Sequence, residues 1–166
     1  SPKAQNAITS TFQKFSKRLV LPIVAGKSNI EKLIWENLRN QTNFDPKITS
    51  LTEALTEVSK KQQLVIIIDE LGKYLEYASA TNQDIMFLQN LAEFCNRTEG
   101  AVVFIGILHQ SFSEYSKTYD KAVRDEWAKI QGRFIDIPIN VSAEEHVNMM
   151  AKYLSSEETE WSDFDP

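Results

Sequence analysis

Two acids stand together at the end of an apolar run. In "LVIIIDELGKYLEY", residues 64–77, five apolar side chains lead directly into Asp69 and Glu70. An aspartate at the tip of a buried strand can accept a hydrogen bond from a magnesium-bound water. An acid beside it can orient or deprotonate a water that attacks a phosphoryl group. Other polar groups follow other apolar runs. His109 and Gln110 come after "AVVFIGIL", 101–108; Gly26, Lys27 and Ser28 come after "LVLPIVA", 19–25; Arg133 follows Gly132 and precedes "FIDIPI", 134–139. A histidine at a strand end can hydrogen-bond a terminal phosphate or a bound water, and an arginine emerging free at a domain edge can reach the phosphates of a neighbouring subunit.

Each group also fits a plainer role. The strand can simply emerge into a solvated acidic turn, His109 can cap the next helix, and the motif alone leaves both readings open. "AGKS", 25–28, looks like the end of a phosphate loop, but that pattern needs a glycine five residues before Gly26. Leu21 stands there, inside an apolar strand. The expected role is a tight strand-to-helix turn with Ser28 as N-cap. His146 is expected on a helix surface, the two histidines form no metal motif, and no G-x-S-x-G elbow accompanies the serines.

The elements that must position these residues alternate in type. Helical spacing of Ile8, Phe12, Phe15 and Leu19 predicts a helix over 5–18. Residues 19–25 read as a short buried strand, with Pro22 favouring an edge position. Ser28 and Glu31 form a capping-box pattern for a helix carrying Ile30, Leu33, Ile34 and Leu38. "NFDP", 43–46, signals a turn, and Ile48, Leu51, Leu55 and Val58 mark the next helix. The strand at 64–68 is continuously apolar, as parallel strands covered on both faces are. A short helix over 71–78 and a longer one over 82–97 follow, the latter with Ile85, Leu88, Leu91, Ala92 and Cys95 inward. Residues 101–108 read as a second fully buried strand, 111–131 as mostly helical, and 134–139 as a less buried strand. Ser142 and Glu145 open a last helix with Val147, Met150, Ala151 and Leu154 on its core face. Strands alternating with helices predict an α/β domain with a mainly parallel sheet, the strands at 64–68 and 101–107 adjacent or nearly so. In such sheets ligands bind at the carboxyl ends of the strands, where the polar groups above would gather.

The bulk properties agree with a globular domain. The 166 residues are 42% hydrophobic and 25% charged, enough for one real core. No apolar run nears the roughly 20 residues of a membrane span, so no membrane partner is expected. The single cysteine, Cys95, has no disulfide partner, which implies a reducing, cytoplasmic setting. A net charge of −5 argues against a nucleic-acid-coating surface, so DNA is expected to be met only through other parts of the protein. The opening Ser1-Pro2 and the acidic end "SSEETEWSDFDP" are expected to belong to a piece of a longer protein.

"VIIIDELGKYLEYA", then "HQSFSEYS", then "RDEWAKIQGRFIDIPIN", in this order and spacing, resemble bacterial P-loop ATPases of AAA+-like or STAND-like type, including large ATPases of BREX-type phage-defence systems. The resemblance covers about residues 19–154 and implies a three-layer P-loop NTPase-like core, truncated. It implies ATP and Mg2+ as cofactors, Asp69 as the metal-side Walker B acid and Glu70 as the catalytic one. It further places His109 and Gln110 at the sensor position and Arg133 where an arginine finger would act on a neighbouring protomer, which implies self-association. Residues 1–154 would be a partial ATPase core and 155–166 an acidic tail, disordered or opening a lid. The first strand and Walker A loop of that family have no counterpart here, so the phosphate site is expected earlier in the full-length protein. A catalytically inactive scaffold of the same fold is the alternative.

Overall fold

In a computed structural model of the chain, residues 15–43, 45–81, 85–139, 147–148 and 150–152 are described. The chain divides into two units, Ser1–Phe134 and Ile135–Pro166. The first contains β1 (Arg18–Val24), α1 (Ile30–Gln41), α2 (Leu51–Ser59), β2 (Gln63–Asp69), α3 (Leu71–Ala80), α4 (Met86–Arg97), β3 (Val102–Gly106), a 3-10 helix (Phe112–Ser116) and α5 (Lys121–Gln131). The strands pair in parallel in the order β1-β2-β3. The expected α/β class and the parallel adjacency of the strands around 64–68 and 101–107 are both observed, and the architecture is compatible with a truncated P-loop-like core.

β2 takes the centre because its run of Val and Ile suits a pleated strand with neighbours on both sides. Register places Leu21 and Ile23 of β1, Leu64, Ile66 and Ile68 of β2, and Val102 of β3 on one face, in the hydrophobic core. Ile30, Ile34 and Leu38 of α1, at helical spacing, join that core, as do Leu55 of α2, Leu75 of α3 and Leu88 of α4. Fully burying each such side chain stabilises by about 1.5–3 kcal/mol. On the opposite face Val65 is buried at the centre while Val20, Val24 and Ile105 are exposed.

β1 occupies an end of the sheet, as Pro22 requires, and buries only alternate residues. β3 departs from the expected fully buried strand: Val102 is buried, Val103 and Phe104 are half-buried, and Ile105 is 40% exposed. An apolar run reports affinity for a core but not the number of neighbours, and β3 ends the strand order. α1 is capped by Asn29 rather than Ser28, since the Asn29 side chain accepts the Lys32 amide at 2.9 Å. Asparagine and serine cap about equally well, so only geometry separates them. The predicted helix over 5–18 lies largely outside the described residues; within them, 15–17 are not helical and β1 already begins at Arg18.

In the second unit, the strand predicted over 134–139 is not formed. Residues 135–139 have no regular structure, and Ile135, Ile137 and Ile139 are exposed. Alternation marks a candidate strand, but a strand also needs an edge to pair with, and Pro138 removes one donor. Residues 147–148 and 150–152 are helical, yet Val147, Met150 and Ala151 are exposed rather than core-facing. Ser142, Glu145, Leu154 and the tail 155–166 lie outside the described residues.

Candidate functional site at the strand ends

The parallel sheet brings three strand ends to one edge. Pairing continues just past the strands: the Ala25 amide donates to the Asp69 carbonyl at 2.8 Å, and the Ile107 amide to the Ile68 carbonyl at 2.9 Å. The Leu71 amide then donates to the Ile107 carbonyl at 3.1 Å. Asp69 therefore stands between the turn after β1 and the loop after β3, as expected from the sequence.

Asp69 is exposed, and its Oδ1 accepts the amide of Glu70 at 2.8 Å. That bond turns the chain sharply from strand to helix. Glu70 pays with a left-handed backbone, φ 54° and ψ 32°, at the residue that precedes α3. A non-glycine residue loses about 1–2 kcal/mol in this region, and such strain clusters at functional sites. The half-buried Glu70 carboxylate forms an ion pair with Lys73, one turn into α3. Lys73 escaped the sequence reading, although its spacing of three from Glu70 on a helix start was a usable signal.

The sequence-predicted groups fall into two sets. Asp69, Glu70, His109 and Gln110 share the strand-end edge, with His109 and Gln110 both exposed. The Gly26-Lys27-Ser28 turn lies at the same edge. A Cβ on Gly26 would meet nothing within 4 Å, so packing does not require glycine there. Arg133 is placed elsewhere and is not free: its Nη1 lies 3.0 Å from Glu93 Oε1 of α4. Phe134 beside it packs on Phe104, ring centres 5.9 Å apart. A cavity of about 520 Å³ among α1, α2 and α4, lined in part by Asn29, Thr52, Asn90, Glu93 and Arg97, includes none of the five predicted site residues.

The edge fits magnesium in part. Among the described residues no group of three or more His, Cys, Asp or Glu side chains could hold a metal by itself. Magnesium keeps most of its waters and takes one or two carboxylates together with phosphate oxygens, a role open to the exposed Asp69. The described residues do not build a cradle for a triphosphate: no glycine-rich loop closes on a common point, and Glu70 already has a cation. In comparisons with known proteins, no family model, no curated protein and no solved structure matches this chain.

Proposed function

We propose that this chain supplies the acid-bearing strand of an ATP-hydrolysing domain in a larger bacterial P-loop ATPase of AAA+- or STAND-like type, similar to those of BREX-type defence systems. The observation that carries the reading is the exposed Asp69 followed by a strained, left-handed Glu70 at the tip of the central strand of a parallel sheet. In this reading Asp69 takes a water of a bound magnesium, and Glu70 orients the attacking water. His109 and Gln110 face the terminal phosphate, and Arg133, released from Glu93, serves a neighbouring protomer. The phosphates are held by a loop outside this chain, so the chain alone is expected to bind ATP weakly and not to turn it over. A cytoplasmic location follows from the same reading; among the described residues no helix is long and apolar enough to cross a membrane.

One observation favours a second reading, an inactive scaffold: Lys73 already neutralises the carboxylate that would act on water. Steady-state phosphate release and nucleotide titration on the full-length protein, with and without DNA, separate the two. Glu70→Gln is expected to keep nucleotide binding and lower turnover by about 100-fold or more, the scale of a lost general base. Arg133→Ala is expected to keep binding and cost about 1,000-fold or more. Wild-type turnover in Glu70→Gln would remove Glu70 from the mechanism, and no phosphate release by the full-length protein would leave the scaffold.

A further inference from the structure

Arg133 and Arg97 compete for one carboxylate. Glu93 of α4 has its Oε1 3.0 Å from Nη1 of Arg133, which reaches it from the turn after α5. Gln89, four residues before Glu93, donates from Nε2 to the same oxygen at 3.3 Å. Arg97, four residues after it in the last turn of α4, stands where a base pairs best with an acid N-terminal to it on a helix. Among the described residues, however, the Arg97 side chain has no ion pair or hydrogen bond, and the residue is exposed. Arg133 holds the carboxylate that local spacing would give to Arg97.

The backbone that carries Arg133 is fixed on both sides. The Gly132 amide donates to the Ala128 carbonyl at 2.9 Å, the Arg133 amide to that of Ile130 at 3.1 Å, and the Phe134 amide to that of Gln131 at 2.9 Å. Phe134 then packs its ring on Phe104 of β3. With both flanks tied down, Arg133 leaves Glu93 by turning its side chain alone. Departure strands a carboxylate whose side chain is only 38% exposed, and Arg97 is one turn away to replace the lost cation. A partly exposed ion pair contributes little, so exchanging one for another is close to balanced. Such an exchange is easily tipped by a stronger anion, because a ligand shifts an equilibrium by its preference for one state.

We propose that Glu93 is a positioning residue that holds Arg133 back and passes to Arg97 when Arg133 turns toward phosphate. The consequence for turnover rests on the ATPase reading above. The exchange of partners rests on the ion pair alone and is tested in this chain.

At low ionic strength, where such pairs are least screened, the Nε–H order parameter of Arg97 is expected to rise in Arg133→Ala from below about 0.6, the flexible range, to above it. In Glu93→Gln the order parameter of Arg133 is expected to fall, and that of Arg97 to stay as in wild type. In the full-length protein, Glu93→Gln is expected to raise kcat about two- to fivefold, the effect of losing one partly exposed pair, with KM for ATP unchanged. Arg97→Met removes the substitute partner and is expected to lower kcat by a similar factor. A Glu93 that served only the fold would do neither.

A rise at Arg97 with a faster Glu93→Gln enzyme supports the proposal. No change at Arg97 in Arg133→Ala overturns it, whatever turnover does. A rise at Arg97 with kcat unaltered or lowered in Glu93→Gln, while Arg133→Ala is impaired, keeps the exchange and overturns the restraint. A rise at Arg97 with a fully active Arg133→Ala protein keeps the exchange and removes its catalytic consequence together with the role of Arg133. Should Arg133→Ala not fold, Glu93→Gln decides alone, and an Arg133 order parameter equal to that of wild type overturns the proposal.

Discussion

Arg18 and Gln63 stand opposite each other at the first rung of the sheet, and the Arg18 Nε donates to Gln63 Oε1 at 2.6 Å. Gln63 is fully buried, and its Nε2 donates onward to the Gly100 carbonyl at 2.8 Å, just before β3. A single carboxamide therefore ties the starts of all three strands. Its two ends are not interchangeable, because only an oxygen can face the guanidinium and only an amide can face the carbonyl.

Gln63→Leu keeps the volume and removes both the acceptor for Arg18 Nε and the donor to the Gly100 carbonyl. Loss of about 1–3 kcal/mol is expected, the cost of stranding a partly buried polar group. Urea unfolding should show a lower midpoint at unchanged slope. A midpoint equal to wild type would mean that water replaces the carboxamide at no cost.

The cap of α1 offers a sharper contrast. Asn29→Ala is expected to cost about 1 kcal/mol because it removes the acceptor for the Lys32 amide, whereas Ser28→Ala should be neutral. The reverse order in thermal melts would restore Ser28 to the role its capping-box pattern suggests.

Under the proposed ATPase reading, Glu70 joins stability to function with opposite signs. Glu70→Gly relieves the left-handed backbone and gives up one partly exposed ion pair with Lys73, a contact of small net worth. A gain of about 1 kcal/mol in folding stability is expected, accompanied in the full-length protein by loss of ATP turnover. Glu99, also left-handed at φ 49°, is the control: Glu99→Gly should stabilise similarly and leave turnover alone. If Glu70→Gly proves less stable than wild type, its backbone is not under strain.

Cys95 should be chemically quiet. Burial raises its thiol to about 11, against smaller opposing effects from the backbones of Cys95 and Phe104. The folded state thus holds a proton that the unfolded chain releases at its ordinary value near 9.0, so this residue's contribution is complete below about pH 9 and is lost as pH rises toward about 11. Slow alkylation in the native protein at pH 7.5, fast alkylation in urea, and a shallower alkaline loss of stability in Cys95→Ala are the expected results. Rapid native alkylation would show the thiol to be open.

What was legible beforehand followed from patterns with one physical cause. The Val and Ile run of β2 could only be a buried strand, and parallel strands carry the residues after them to one edge, so Asp69, Glu70, His109 and Gln110 were placed together correctly. Residues 134–139 show the complementary failure, since alternating isoleucines describe two faces but not whether an edge awaits them. Ile105 was misjudged for a related reason: apolar character does not count neighbouring strands. Arg133 was expected free because nothing local announces Glu93, forty residues earlier in the chain. The competition between Arg97 and Arg133 for Glu93 was invisible for the same reason, as it exists only once α4 and the turn after α5 are packed.

Pro22 sits exposed in β1, paired by register with Ile67. A proline survives in a strand only where its missing amide faces away from the neighbour, so the outer border of β1 is one donor short. Among the described residues, the outer border of β3 carries no such defect, and its Ile105 and the following Ile107 are exposed. The sheet is therefore polar in its capacity to lengthen: a further strand meets a gap in the hydrogen-bond ladder at β1 and an unbroken one at β3.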